Sequence, residues 1–139
     1  MTLYEVIDNL KNIAITKNNI NYVGDGDIYK LNSTPDIAYS VFFITENTHN
    51  IDIDTNTYSL NLFYVDRLTA DKDNELKIKS DGITILKDII NEFNSLYPDV
   101  SINFPIQVTT FLQRFADECA GAFAVVQIET DNEIGECYE

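Results

Sequence analysis

The stretch Thr57-Tyr58-Ser59-Leu60-Asn61-Leu62-Phe63-Tyr64-Val65-Asp66-Arg67 decides the fold. Read at a period of two, Tyr58, Leu60, Leu62 and Tyr64 share one face, and Ser59, Asn61, Phe63 and Val65 share the other. Alternation of this kind, rich in aromatic and β-branched residues, predicts a strand inside a sheet. The first face is apolar throughout and belongs to a core. The second begins polar and ends apolar, which predicts that its near end meets solvent and its far end meets a helix or another subunit.

Upstream, Tyr39 to Thr45 reads as a partner strand, and Ile51-Asp52-Ile53-Asp54 alternates as one arm of a hairpin that bends near Asn56 into the central strand. Ile20 to Val23 is a further short strand, followed by a turn at Gly24-Asp25-Gly26-Asp27. The chain opens with Thr2-Leu3-Tyr4-Glu5, a capping box, ahead of Leu3, Val6, Ile7, Leu10, Ile13 and Ala14 at helical spacing; this predicts a helix over 3–16. Downstream of Arg67 the period changes. Ile83, Leu86, Ile89, Ile90, Phe93 and Leu96 form a second helical stripe that Pro98 ends near Tyr97, with Gly82 marking a kink or break. Strand patterns return from Asn103 to Phe115 and from Gly121 to Thr130. In the last of these Ala122, Ala124, Val126 and Ile128 share a face suited to close approach of a helix. The expected architecture is α+β in two layers: a mainly antiparallel sheet of four to six strands with both helices on one face. Residues 1–130 form one domain and 131–139 an acidic arm.

At 139 residues and 45% hydrophobic content, the chain has enough apolar material for one core without disulfide or metal. It has no apolar run of about 18 residues and no signal-peptide pattern, so neither a membrane span nor a secretory route is expected. Cys119 and Cys137 read as free thiols, with a bond between them left open. The 23 acids outnumber the 9 bases, for a net charge of −14. The imbalance grows along the sequence, and from Asp117 onward there are seven acids and no base. Such a surface repels phosphate backbones and anionic membranes.

Motifs of catalysis are sparse. His49, the single histidine, lies in the polar turn Asn47-Thr48-His49-Asn50; a catalytic dyad would require a cysteine or serine beside it, and it reads as an exposed turn histidine. Asp25 with Asp27, and Asp52 with Asp54, form two Asp-x-Asp pairs able to present carboxylates to a divalent cation, or simply a solvated edge. Asp71, Asp73 and Glu75 begin like a calcium loop, but Leu76 and Gly82 occupy the positions that need glycine and glutamate. Phosphate-binding loops, nucleophile elbows and zinc spacings are absent. No catalytic, cofactor-binding or metal residue is therefore assigned. The interface candidates are Phe63 and Val65 on the outer strand face, Arg67 and Arg114, whose planar forks suit ion pairs between subunits, and Ile134 and Tyr138, the spaced apolar anchors of the acidic tail.

The segments Asn61-Leu62-Phe63-Tyr64-Val65-Asp66-Arg67-Leu68, Arg114-Phe115-Ala116-Asp117-Glu118-Cys119-Ala120-Gly121 and Asn132-Glu133-Ile134-Gly135-Glu136-Cys137 resemble those of small structural proteins of crAss-like bacteriophages. The order of elements resembles the tail-terminator and head–tail connector ring proteins. The resemblance implies a non-enzymatic virion component, made in the bacterial host cytoplasm. It would assemble with itself as a ring of six or twelve copies, stacked against portal, connector or tail proteins, with DNA only passing through. An anionic lumen fits that role, since fixed anions deny DNA a binding minimum. Two other readings stand beside it: an acidic DNA mimic that inhibits a host enzyme, and a divalent-metal-dependent enzyme using an Asp-x-Asp pair.

Overall fold

A computed structural model describes residues 1–27, 39–69, 73–114 and 118–131, with the side chains of Gln113, Arg114 and Glu118 outside the described part. The order is α1 (Leu3–Ile15), β1 (Tyr22–Asp25), β2 (Val41–Glu46), β3 (Asn50–Ile51), β4 (Thr55–Arg67), α2 (Glu75–Leu96), β5 (Ser101–Ile102), β6 (Val108–Arg114) and β7 (Glu118–Asp131). The fold is α+β in two layers, with both helices feeding one core on one face of a mixed sheet.

The central stretch is the middle strand. β4 pairs antiparallel with β2 on one side and, over thirteen residue pairs, with β7 on the other. The path β1-β2-β4-β7-β5 is completed by β3 on β4 and by β6 on β7. The seven strands among the described residues exceed the four to six expected. β3 and β5 are two residues each, too short to print a period. All pairings are antiparallel except β1 with β2, which run parallel. The strand expected from Asn103 to Phe115 is split between β5 and β6. Pro105 lies in the gap, and with no N–H it cannot donate to a ladder. The predicted bend at Asn56 instead falls earlier, because the Asp52 N–H donates to the Thr55 carbonyl at 2.7 Å and closes the turn before β4 begins.

The capping box forms as read: the Glu5 N–H donates to Thr2 Oγ1, and the Thr2 N–H donates to Glu5 Oε1, both at 3.2 Å. Those bonds favour the charged carboxylate and hold the Glu5 carboxyl below its ordinary range. α1 buries Val6, Ile7, Leu10, Ile13 and Ala14. α2 runs unbroken through Gly82 and buries Ile78, Gly82, Ile85, Leu86, Ile89, Ile90 and Phe93. The stripe read from sequence is thus shifted in phase at its ends, where Ile83 and Leu96 are 42% and 57% exposed. Gly82 is the contact point of helix and sheet and no break: a Cβ there would lie 3.1 Å from both Ala122 Cβ and Tyr64 Cδ2. Across that seam Ala122, Ala124, Val126 and Ile128 all face the core and are at most 1% exposed. Burying a side chain the size of Leu86, Ile89 or Phe93 contributes about 1.5–3 kcal/mol each, so this interface dominates the stability.

Candidate functional site

The outer face of the sheet, on which no helix lies among the described residues, divides as the period of β4 predicted. At the far end Val41, Phe43, Val65 and Cys119 are buried as a second, smaller cluster, with Tyr22, Tyr39, Phe63 and Phe111 packed against it. The β4–β7 register sets Phe63 beside Phe123, and the β6–β7 register sets Phe111 beside Gly121. The rings of Phe63 and Phe123 stack at 5.3 Å, and Phe111 meets Phe63 edge-on at 6.2 Å. Such pairs contribute about 0.5–1.5 kcal/mol beyond burial and fix the orientation of the aromatic patch. Phe63 and Phe123 stay half-buried, and Val125, next on the same face, is 41% exposed.

At the near end the same face is polar. Asn47 and Asn61 exchange amide hydrogen bonds at 2.9 Å, and the Asn61 amide also donates to Thr45 Oγ1 at 3.0 Å. A shallow hollow of about 470 Å³ lies there among Gly26, Asp27, Thr45, Glu46, Asn61 and Phe63.

A second apolar surface lies on the opposite side of the molecule. α2 and the segment joining β5 to β6 enclose a groove of about 520 Å³ lined by Ile83, Lys87, Ile90, Asn91, Phe104, Pro105, Ile106 and Val108. Phe104 is 59% exposed, and Leu112, on the same face of β6 as Val108, is 55% exposed. Among the described residues the groove lining holds one base and no acid. Neither feature of this groove was legible beforehand. Its helical wall is the exposed flank of a stripe read as core, and its other wall is the break that Pro105 makes in an expected strand.

The candidate interface residues divide as follows. Val65 is 1% exposed and is taken up within the subunit, so it offers no surface to a neighbour. β2 and β7 place Val41, Phe43 and Cys119 beside it in one cluster, company that the alternation of one strand cannot reveal. Phe63 keeps an open edge. Arg67 is exposed, with its guanidinium 5.1 Å above the Tyr39 ring. The backbone of Arg114 pairs with Glu118 across β6 and β7, and its side chain lies outside the described part. Ile134 and Tyr138 lie outside the described residues, as does Cys137.

The chemistry-bearing residues sit in ordinary structural roles. His49 Nδ1 accepts from the Ser59 N–H at 3.3 Å, Nε2 lies 3.0 Å from Glu46 Oε1, and the ring meets Tyr58 edge-on. Asp25 pairs with Lys11 at 2.8 Å, a bond that raises the lysine above its usual range. Asp52 caps its own turn by accepting from the Ile53 N–H at 2.7 Å. Among the described residues no three metal-ligating side chains come together. Asp66, half-buried where β4 meets α2, is pushed above the carboxylate range by burial, and Asp81 adds to the shift. The Arg67 N–H, donating to Asp66 Oδ1 at 2.8 Å, opposes it. Among the described residues no helix is long and apolar enough to cross a membrane.

No protein-family model matches the chain, and no curated protein does.

Proposed function

We propose that the chain is a structural subunit of a homo-oligomeric ring in the portal-to-tail connector of a bacteriophage particle. In this role it borders the DNA passage and joins neighbouring rings. The observation that carries the reading is the pair of dissimilar apolar surfaces. One is the aromatic patch of Phe63, Phe123 and Val125 on the outer sheet face; the other is the groove beside Ile83, Phe104 and Leu112 in the helix layer. A closed ring joins copies head to tail, so each subunit presents two different patches that fit each other or a shared partner. An exposed apolar surface of this kind costs solubility unless a partner covers it.

The net charge of −14 belongs to the same reading. Carboxylates facing a channel repel phosphates, and DNA then moves past without finding a site to rest. The resemblance of the three quoted segments to structural proteins of crAss-like phages supports the particle as the place of action. Electron microscopy of the purified chain tests the proposal: closed rings of uniform diameter are expected. A monodisperse monomer at high concentration, with no ring at the connector of intact particles, overturns it.

A further inference from the structure

The tip of the β3–β4 hairpin carries apolar side chains that the subunit itself does not cover. Ile51 and Ile53 are 74% and 66% exposed, and Asp54, the next residue along, is exposed as well. The turn beneath them is fixed. The Asp52 N–H donates to the Thr55 carbonyl, and Asp52 Oδ1 accepts from the Ile53 N–H, each at 2.7 Å. Asp52 thus serves the turn, whereas Asp54 makes no hydrogen bond or ion pair among the described residues. A rigid tip with two branched apolar side chains and an uncommitted carboxylate is shaped to enter a groove of opposite character.

The groove beside α2 has that character. Its walls are apolar at Ile83, Ile90, Phe104 and Ile106, and Lys87 stands midway along the helical wall. Lys11, Lys17, Lys77 and Lys79 each hold a carboxylate within 3.1 Å. Lys87 holds none among the described residues, although acids outnumber bases in this chain by more than two to one. Ile83 to Ile90 spans about 10 Å of helix, enough for a turn whose Ile51 and Ile53 lie about 7 Å apart.

The sheet register keeps the tip away from its own groove. Asn56 pairs with Ile51 on one edge of β4 and with Thr130 of β7 on the other, so β3 and the strands beside the groove lie on opposite sides of β4. Thr55 stands opposite Asp131, whereas the Asn103 N–H, where the chain enters the groove wall, donates to the Gln127 carbonyl. The tip therefore sits about 13 Å further along the sheet and about 10 Å across it. Reaching its own groove would cost the hairpin its pairing; reaching another copy's groove costs none. We infer that the β3–β4 tip of one copy docks in the groove between α2 and residues 104–108 of the next, with Ile51 and Ile53 against the apolar walls and Asp54 on Lys87. Tip and groove are different patches, as a head-to-tail contact requires, and the inference rests on the ring reading, whose joint between copies it names.

The test mixes two full-length chains, each with one engineered thiol in a Cys137→Ser background; Cys119 is buried and out of reach. Isotope-labelled Ile53→Cys chains and unlabelled Asn91→Cys chains are mildly oxidised together and digested. Both substitutions fall on exposed side chains, so folding is retained. A disulfide joining position 53 to position 91 is expected at about ten times the yield that labelled Leu76→Cys chains give, since Leu76 is 78% exposed beyond the other end of β4. A yield no higher than that control overturns the inference. In a second arm, Lys87→Asp in every copy should weaken assembly about tenfold or more, because like charges then meet in the groove, and Asp54→Lys in the same chain should restore it. Failure to restore assembly also counts against it. Closed rings without the link defeat this joint and leave the ring standing, a linked but open ladder keeps the joint and defeats the ring, and a monomer at every concentration defeats both.

Discussion

Gly121→Ala puts the register between β4 and β7 under direct load. Gly121 sits opposite Val65 in the middle of the sheet, and a Cβ built there would lie 1.9 Å from the Tyr64 carbonyl oxygen and 2.9 Å from Phe111 Cζ. Ordinary contact requires the seam to open by more than about 1 Å, and the obstacle is backbone in the central strand, which has nowhere to retreat. Overpacking of a tight core costs about 1–3 kcal/mol. Stretching the two neighbouring ladder bonds adds about 0.5–1.5 kcal/mol each. Replacing glycine by alanine in a strand returns about 0.5–1 kcal/mol through the unfolded chain. The net loss is about 1–5.5 kcal/mol, with the middle of that range a large part of the total stability of a domain this size. Equilibrium unfolding in urea, followed by far-ultraviolet circular dichroism, should show the midpoint falling, by about 1 M for a loss of about 3 kcal/mol at slopes near the upper end of about 1–3 kcal/mol/M. A midpoint unchanged from the parent would mean that Gly121 does not face the Tyr64 carbonyl, and the β4–β7 register would be wrong.

Three further outcomes follow from the same geometry. Asp66→Asn keeps the acceptor for the Arg67 N–H but removes a carboxylate whose folded pKa is raised by burial. The ionised form is disfavoured only in the folded state, so its cost is full above the folded pKa and fades as the pH falls to the unfolded value. Thermal midpoints should therefore rise at pH 7 and converge with the parent in acid; a loss at neutral pH contradicts this. Phe93→Ala empties a fully buried site under α2 and should cost about 3–5 kcal/mol in the same urea assay, whereas Leu76→Ala, at a side chain 78% exposed, should leave the midpoint within about 0.5 kcal/mol of the parent. Val65→Asp buries an unpaired charge and should abolish the cooperative transition, while Phe63→Asp should fold cooperatively and fail to assemble. If Phe63→Asp assembles as the parent does, the aromatic patch is not a joint.

Much of the architecture was legible from local pattern. The alternation of β4 separated its faces correctly, the small residues of β7 marked where α2 comes close, and Thr2 with Glu5 located the start of α1. What escaped the sequence depends on pairing between distant segments. The parallel partnership of β1 with β2 follows from the path between them, and no period of four residues encodes it. Gly82 reads as a break because glycine weakens a helix, yet the contact with Tyr64 and Ala122 reverses that meaning. The site was half visible for a related reason. Phe63 and Val65 were correctly separated from the core face, but whether each stays open depends on β2, β6 and β7. The groove needed Pro105 to divide a strand and α2 to show Ile83 outward, and neither event is written in local periodicity.

Self-association is the claim on which the functional account turns, and native mass spectrometry of the purified chain in virion-like salt addresses it most directly. The account predicts one closed assembly whose mass is a fixed multiple of 15.8 kDa and does not grow with concentration. A species of 15.8 kDa at every concentration, or an open ladder of sizes with no preferred number, contradicts it.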